Sequence, residues 1–309
     1  MRIRKAFTML ELIFVIVIMG IIGKFGTEFL AQSYKSFIFS SVNNVLQSNS
    51  ATAVEFIAAR LQYRIKDSVI ARTGETTAFT PLADADGTTF TVIEWVSADT
   101  DNFRGSTSPN WSGIIDLNHA DAAVNTLVSP ATDTNAINSL IGRLSHGTGT
   151  SINDAALHFI GANTDINGYG WDGNALTDQN GSVMHPIKAV GGEPTHFTSS
   201  NGDDFDTVEV YEYYKLAWTA NAVVMEDYNT TSKMGNLVFY YDYQPWNGEW
   251  FYKTGQNIKS FTIMKNVSTF QAMAIGSIIK IQVCSKSTII NGDENSTEGY
   301  SLCKEKTIF

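Results

Sequence analysis

The sequence predicts an α+β fold, in which a long amino-terminal helix packs on a mainly antiparallel sheet with large loop insertions. Three observations lead to this prediction. One apolar run of membrane length lies at residues 7–23. The helical spacing of apolar residues continues after that run, and no proline occurs before Pro81. Five strand-like runs separated by turn residues then fill the last third of the chain, from residue 207 onward.

The first element is the apolar run itself, which is interrupted only by Thr8, Glu11 and Gly20. Its 17 residues are at the short limit for a helix that spans a membrane, and Lys24 supplies a charged stop. The run therefore predicts one transmembrane helix at the start of the chain.

The position of Glu11 distinguishes three interpretations of this helix. A secretory signal peptide requires a small-x-small cleavage site, and the stretch "GKFGTEFLAQS" offers no good Ala-x-Ala. A plain anchor fits the hydropathy and the basic residues that precede the run. Neither interpretation accounts for Glu11, because a carboxylate that faces lipid costs a few kcal/mol unless it has a partner.

The third interpretation supplies that partner. The amino terminus resembles the precursors of type IV pilins and type II secretion pseudopilins, which carry a short basic leader, a small residue, Phe-Thr-x-x-Glu and a long apolar helix. In this chain those elements are Lys5, Ala6, Phe7, Thr8, Met9, Leu10, Glu11 and the run to Ile22. The family usually has Gly where this chain has Ala6.

The resemblance implies a processing step and an assembly contact. A prepilin peptidase would cut between Ala6 and Phe7 and methylate the new amino terminus of Phe7. Residues 1–6 would then be the leader and residues 7–24 the transmembrane segment. Glu11 would neutralise the Phe7 ammonium of a neighbouring subunit in the filament, where the low dielectric strengthens a pairing of opposite charges.

The second element is an amphipathic continuation of the helix over residues 25–72. Apolar residues recur there at three- and four-residue steps as far as Ile65 and Val69. Joined to the membrane segment, a helix of that extent would be about 95 Å long. We interpret the basic residues near its end, such as Arg60 and Arg64, as a solvated helix face. The stretch also resembles the end of the long helix in J-type and W-type minor pseudopilins.

The remaining elements form a globular, strand-rich head over residues 73–309. Patterns predict a strand in "TTFTVIEWV", a short helix in "TNAINSLIGRL" that begins at Asp133 or Thr134, and a buried strand in "AALHFIG". Residues 163–206 are rich in Gly, Asn and Asp, so we interpret them as surface loops inserted in the sheet. The segment "NVSTFQ", followed by a strand into Cys284, is similar to J-type minor pseudopilins.

Composition limits the partners and the compartment of the head. The net charge is −10, and beyond residue 72 Lys and Arg occur singly among many carboxylates, so nucleic acid is not an expected partner. The only cysteines are Cys284 and Cys303. An oxidising compartment would join them in a disulfide, and a cytosolic one would leave two thiols. The membrane segment favours the disulfide.

Acidic turns are the only metal candidates in the sequence. The block that starts at residue 163 opens like an EF-hand loop but has Asn174 where a bidentate acid is expected. Ordinary turns are the favoured interpretation, and no cofactor is certain. The five histidines lack helical metal spacing, and the chain shows no catalytic motif, so we do not expect an enzyme. The candidate calcium ligands are Asp165, Asn167, Asp203, Asp204 and Asp206.

These expectations combine into a minor pseudopilin or minor pilin subunit, at the tip or in initiation of a type II secretion pseudopilus or a type IV pilus. It would be a single-pass inner-membrane protein with its head in the periplasm or at the cell surface. Its partners would be other pilins or pseudopilins, the prepilin peptidase and the inner membrane, with no small-molecule substrate. The alternative is a pilin-anchored adhesin that binds glycan or protein with its acidic, aromatic head.

Overall fold

The computed structural model describes residues 8–87, 89–119, 125–147, 149–162, 164–256, 258–287 and 299–309. A long amino-terminal helix precedes a domain of antiparallel sheet, which is an α+β layout. The helices are α1 (Met9–Leu61), α2 (Thr100–Arg104) and α3 (Thr134–Leu144). The strands are β1 (Ile70–Arg72), β2 (Thr80–Pro81), β3 (Val92–Ser97), β4 (Thr126–Val128), β5 (Ala156–Phe159), β6 (His185–Val190), β7 (Glu193–Ser199), β8 (Tyr214–Ala217), β9 (Thr219–Asn229), β10 (Met234–Tyr243), β11 (Lys259–Ile275), β12 (Ile278–Lys286) and β13 (Ser301–Ile308).

Helix α1 is held by its carboxyl-terminal part, which packs on the face of strands β11, β12 and β13. Ile57 and Leu61 on this part are fully buried in the largest apolar cluster of the head. Complete burial of such a side chain contributes about 1.5–3 kcal/mol. Lys306 of β13 also forms an ion pair with Glu55 on the helix. The sheet therefore fixes only the last third of the helix.

The predicted amphipathic helix over 25–72 is wrong beyond Leu61, where α1 ends. The Ile65 backbone N–H donates to the Val96 carbonyl at 2.9 Å, and strand β1 then pairs with β3. Sheet hydrogen bonds thus take the backbone groups that would have extended the helix. Ile65 is buried, as its apolar character indicated, but it is buried after the helix has ended.

Eight strands form the larger sheet in the order β13-β12-β11-β10-β9-β3-β1-β2, and each pair of neighbours is antiparallel. The predicted strand in "TTFTVIEWV" is β3, and the strand runs predicted after residue 207 are β8 to β13. The run "TVEVYEYYKLAWTANAVVM" is divided at Trp218 into β8 and β9. These strand predictions are confirmed.

A second sheet of five strands, in the order β4-β7-β6-β5-β8, corrects the prediction that residues 163–206 are only loops. Strands β6 and β7 lie inside that block and form a hairpin closed at Gly192, whose φ of 85° suits glycine. Ile187 and Phe197 from the hairpin are fully buried with Ile137 of α3. Helix α3 begins at Thr134 with Asp133 as its cap, as predicted.

A buried ion pair ties two loops to the larger sheet. Arg72 on β1 and Glu94 on β3 form a salt bridge with both side chains fully buried. Arg72 Nη1 donates to the Thr77 carbonyl at 2.6 Å, and Arg72 Nη2 donates to the Trp171 carbonyl at 2.7 Å. The Tyr243 hydroxyl donates to Glu94 Oε2 at 2.9 Å. This network binds two loops and three strands of the chain to one point.

Candidate functional site: the exposed half of helix α1

The amino-terminal half of α1 stands clear of the head. Every residue from Met9 to Phe37 is exposed, and the first buried side chain along the helix is Leu46. Apolar side chains lie on all sides of its first part, which is typical of a helix surrounded by apolar material. The helix is long and apolar enough to span a membrane. The head therefore leaves the apolar side chains of this half of α1 exposed.

A second apolar surface lies between the membrane-length segment and the head. We call it the α1 stripe, and its members recur at helical steps on one side of the helix. Leu30, Tyr34, Phe37 and Val45 all have more than half of their side chains exposed. An isolated soluble helix does not leave such a surface open to water. The stripe lies between the membrane-length segment and the part of α1 that packs on the sheet.

Glu11 has partners within its own chain. Its Oε2 accepts hydrogen bonds from the backbone N–H and the hydroxyl of Thr8, both at 2.9 Å. Glu11 N–H donates in return to Thr8 Oγ1 at 3.4 Å, which completes a capping box at the start of α1. The spacing Thr8-x-x-Glu11 is the sequence signal for this role, which the predicted pairing of Glu11 with a neighbouring subunit does not include.

The predicted processing site lies at the edge of the structure. Ala6 and Phe7 are outside the described residues, so the expected cut between them remains a prediction. Thr8 directly follows Phe7, which places the capping box one residue from the predicted new amino terminus. The pairing of Glu11 with the Phe7 ammonium of a neighbour also remains a prediction.

The predicted disulfide is present. Cys284 on β12 and Cys303 on β13 face each other as directly paired residues, and their sulfur atoms are bonded. The bond ties the final strand of the chain to the sheet on which α1 packs. It therefore supports the surface that holds the long helix.

The calcium candidates serve as turn and capping groups. The Asp165 carboxylate accepts from Asn167 N–H at 3.0 Å, and the Asp203 carboxylate accepts from Gln179 N–H at 2.7 Å. Asp204 accepts from Asp206 N–H at 3.2 Å. A side-chain hydrogen bond with Asp204, desolvation and the Asp204 charge raise the pKa of the Asp206 carboxyl. Within the described residues, no group of three or more His, Cys, Asp or Glu could hold a metal ion.

Two of the five histidines are core residues. Burial lowers the pKa of His158 to about 4 and that of His185 to about 3. The His158 ring stacks on Tyr169, and His185 hydrogen-bonds through Nδ1 to Gln179 Oε1 at 3.1 Å. Both imidazoles are neutral near pH 7, and they act as packing groups in the second sheet.

Arg64 corrects the interpretation of the helix end as a solvated basic face. It is almost completely buried, and its guanidinium donates to the carbonyls of Leu61, at 2.9 Å, and Ser277. Arg60 is exposed, as expected for a surface helix residue. The apolar residues on either side of Arg64, Leu61 and Ile65, are buried where the chain leaves α1 and joins the larger sheet.

The aromatic side chains of the head, on which the adhesin alternative depends, mostly build the core. Tyr214, Tyr243, Trp246 and Phe251 are buried among strand side chains. Stacking on a sugar ring requires an open aromatic face. These four rings therefore cannot present a binding platform.

No protein-family model, curated protein or solved structure matches the chain.

Proposed function

We propose that the protein is a minor pilin or pseudopilin subunit that assembles with other such subunits through the exposed half of α1. The α1 stripe is the observation that carries this proposal. A membrane accounts for one apolar segment of about 20 residues. It does not account for the exposed apolar side chains that continue from Leu30 to Val45. Helices of neighbouring subunits, packed side by side, would cover both segments.

The start of the helix supports the same proposal. Glu11 and Thr8 close the first turn, so the carboxylate is held beside the end of the chain that processing would create. In a helical bundle of low dielectric, that carboxylate can accept a second charge-assisted contact from a neighbouring ammonium. We propose that the capping box orients Glu11 for this contact.

The size of the head supports a position at the end of a filament. Two sheets, a disulfide and a buried ion pair give a rigid body of more than 200 residues on one helix. Such a large head is hard to repeat at every position of a narrow filament. We therefore propose that it sits at the tip or takes part in initiation, with its head in the periplasm or at the cell surface.

Photo-crosslinking tests the assembly proposal directly. A benzophenone amino acid is placed at Tyr34 on the α1 stripe or, as the matched control, at Gln32 on the opposite side of the helix. Both positions are exposed. We expect adducts with a second pilin-like subunit from Tyr34 and far fewer from Gln32. Equal crosslinking from both positions, or adducts with lipid alone, would contradict a subunit interface on the stripe.

Two substitutions separate capping from subunit pairing. Thr8→Val removes the capping hydroxyl and keeps the carboxylate. Glu11→Leu removes the carboxylate, which is both the acceptor for Thr8 and the proposed partner of the neighbouring ammonium. If Glu11 pairs with a neighbour, Glu11→Leu should abolish incorporation into the filament while Thr8→Val only weakens it. Equal effects would show that Glu11 acts only as a cap.

Mass spectrometry of the filament subunit tests the proposed processing. It should find methylated Phe7 at the amino terminus, and an intact Met1 would reject the cut after Ala6.

A further inference from the structure

A cavity of about 390 Å³ lies where the two sheets meet, directly after the end of α1. We call it the junction groove. One wall contains Tyr63, which follows α1, and the segment from Ala98 to Thr100, which joins β3 to α2. The other wall contains Phe103, Trp111, Ile160 and Lys215. Its volume is within the range of about 300–1,000 Å³ that is typical of ligand pockets.

The apolar wall of the groove is exposed and rigid. Phe103 and Ile160 each have about half of their surface open to solvent. The Phe103 ring contacts Trp111 with their centroids 4.9 Å apart, and Trp111 Nε1 donates to the Asp99 carbonyl at 3.1 Å. The exposed apolar surface continues past the cavity to Tyr213. A rigid apolar rim that extends beyond its cavity is typical of a site for protein rather than for a small molecule.

Lys215 gives the groove an unneutralised positive charge. Its side chain is half-buried, and among the described residues no carboxylate lies within ion-pair distance of its ammonium group. Burial, together with the charges of Lys66 and Arg64, lowers the pKa of Lys215, and the charge of Asp67 opposes this effect. The surroundings of Lys215 therefore favour the arrival of an anion.

The one carboxylate among the residues that line the groove, Asp99, does not fill that role. The two oxygens of Asp99 accept from the N–H of Asn102 at 3.1 Å and from its side-chain amide at 2.6 Å. Asp99 thus caps α2 rather than neutralising Lys215. Two charged donors line the groove, Arg64 and Lys215. Arg64 donates to the carbonyls of Leu61 and Ser277, whereas Lys215 has no acceptor among the described residues.

The groove is remote from the surface that we assign to assembly. Helix α1 has 53 residues and is therefore about 80 Å long. Its uncovered half begins at Met9, while the groove begins after Leu61 at the opposite end. A membrane that contains the first turns of α1 cannot reach the groove, and neither can helices that cover only the exposed half.

We propose that the junction groove binds a segment of a partner protein in which an aliphatic or aromatic side chain adjoins a carboxylate. The apolar side chain lies between Phe103 and Ile160, and the carboxylate pairs with Lys215. This inference goes beyond the proposed assembly function and does not depend on it, because it uses only the head.

Selection of short random peptides on the full-length chain in detergent micelles tests the proposal. Peptides that also bind empty micelles are removed by counter-selection, and an exposed lysine on β6 provides the matched control, Lys188→Gln. We expect enriched peptides to carry an apolar residue beside Asp or Glu. Binding should weaken on the order of tenfold in Lys215→Gln and in Phe103→Ser, and should be unchanged in Lys188→Gln.

A double-mutant cycle identifies the contact itself. Changing the peptide acid to its amide should weaken binding to the wild-type chain and have little further effect on Lys215→Gln. The proposal is overturned if both proteins lose the same factor, if enriched peptides lack an acid, or if no peptide survives counter-selection. Tighter binding of 4-phenylbutyrate than of every selected peptide would also overturn it, since the groove would then be a small-molecule site. Near-UV circular dichroism of each variant confirms that it is folded.

Discussion

Replacing Glu94 by Gln is the most informative perturbation of the fold. The carboxylate is fully buried and accepts from Arg72 Nε and from the Tyr243 hydroxyl. Glutamine has almost the same shape, so the change creates no cavity. It does remove the only charge that directly neutralises the buried guanidinium among the described contacts. The side-chain amide would also turn one donor toward Arg72 Nε or toward the tyrosine hydroxyl.

The size of the effect follows from desolvation. Removing one partner of a buried ion pair leaves the other charge uncompensated, which lowers the free energy of unfolding by about 3–5 kcal/mol. The Arg72 guanidinium cannot lose its proton to escape this cost. It also holds the carbonyls of Thr77 and Trp171, so the loops at both positions should loosen. We expect a loss of about 3 kcal/mol or more.

Chemical unfolding of the full-length chain in detergent micelles, followed by tryptophan fluorescence and near-UV circular dichroism, measures the loss. The control is Glu305→Gln, which removes the exposed ion pair with Lys280 and should change the free energy by no more than about 0.5 kcal/mol. The double variant Arg72→Met with Glu94→Leu should lose less than the sum of Arg72→Met and Glu94→Leu. A loss of less than about 1 kcal/mol for Glu94→Gln would refute the uncompensated-charge argument.

Two further predictions concern the disulfide and the buried imidazoles. The variant in which Cys284 and Cys303 are both Ser should lose about 3 kcal/mol of unfolding free energy, because the bond closes a loop with a sequence separation of 19. Reductant should bring the wild-type chain to the same midpoint, and an unaltered midpoint would contradict this. Burial lowers the pKa of His158 from 6.5 to about 4, so its stabilising effect is complete above pH 6.5 and is lost as the pH falls toward 4. In thermal unfolding at a series of pH values, His158→Phe should reduce that loss whereas exposed His146→Phe should not, and identical pH profiles would refute the assignment.

The local pattern of apolar and polar residues was sufficient to predict most of the secondary structure. The apolar run after Thr8 is helical, and the alternating runs that end in β12 and β13 are strands. In each case neighbouring residues share one periodicity, and the tertiary environment agrees with it. The Cys284–Cys303 bond could be predicted because the chain has no other cysteine and an apolar segment indicated an oxidising side of a membrane.

The candidate sites were less evident, because they depend on residues that are distant in sequence. The spacing of Thr8 and Glu11 contained the capping box, which is a local signal that sequence analysis can find. No local sequence pattern indicates the junction groove. Tyr63, Phe103, Ile160 and Lys215 lie in four separate segments, and only the meeting of the two sheets brings them to one cavity.

The sequence alone determined that a membrane-length helix precedes a strand-rich head, because apolar periodicity over consecutive residues records the burial of each element. Tertiary structure decided where that helix ends and which polar groups lie inside. Beyond Leu61 the backbone bonds to Val96 and the sheet instead of continuing the helix. Arg72, a charged residue that directly follows Val69, Ile70 and Ala71, becomes buried because Glu94 pairs with it from another strand. Such outcomes depend on the free energy of pairing between distant segments, which no local pattern records.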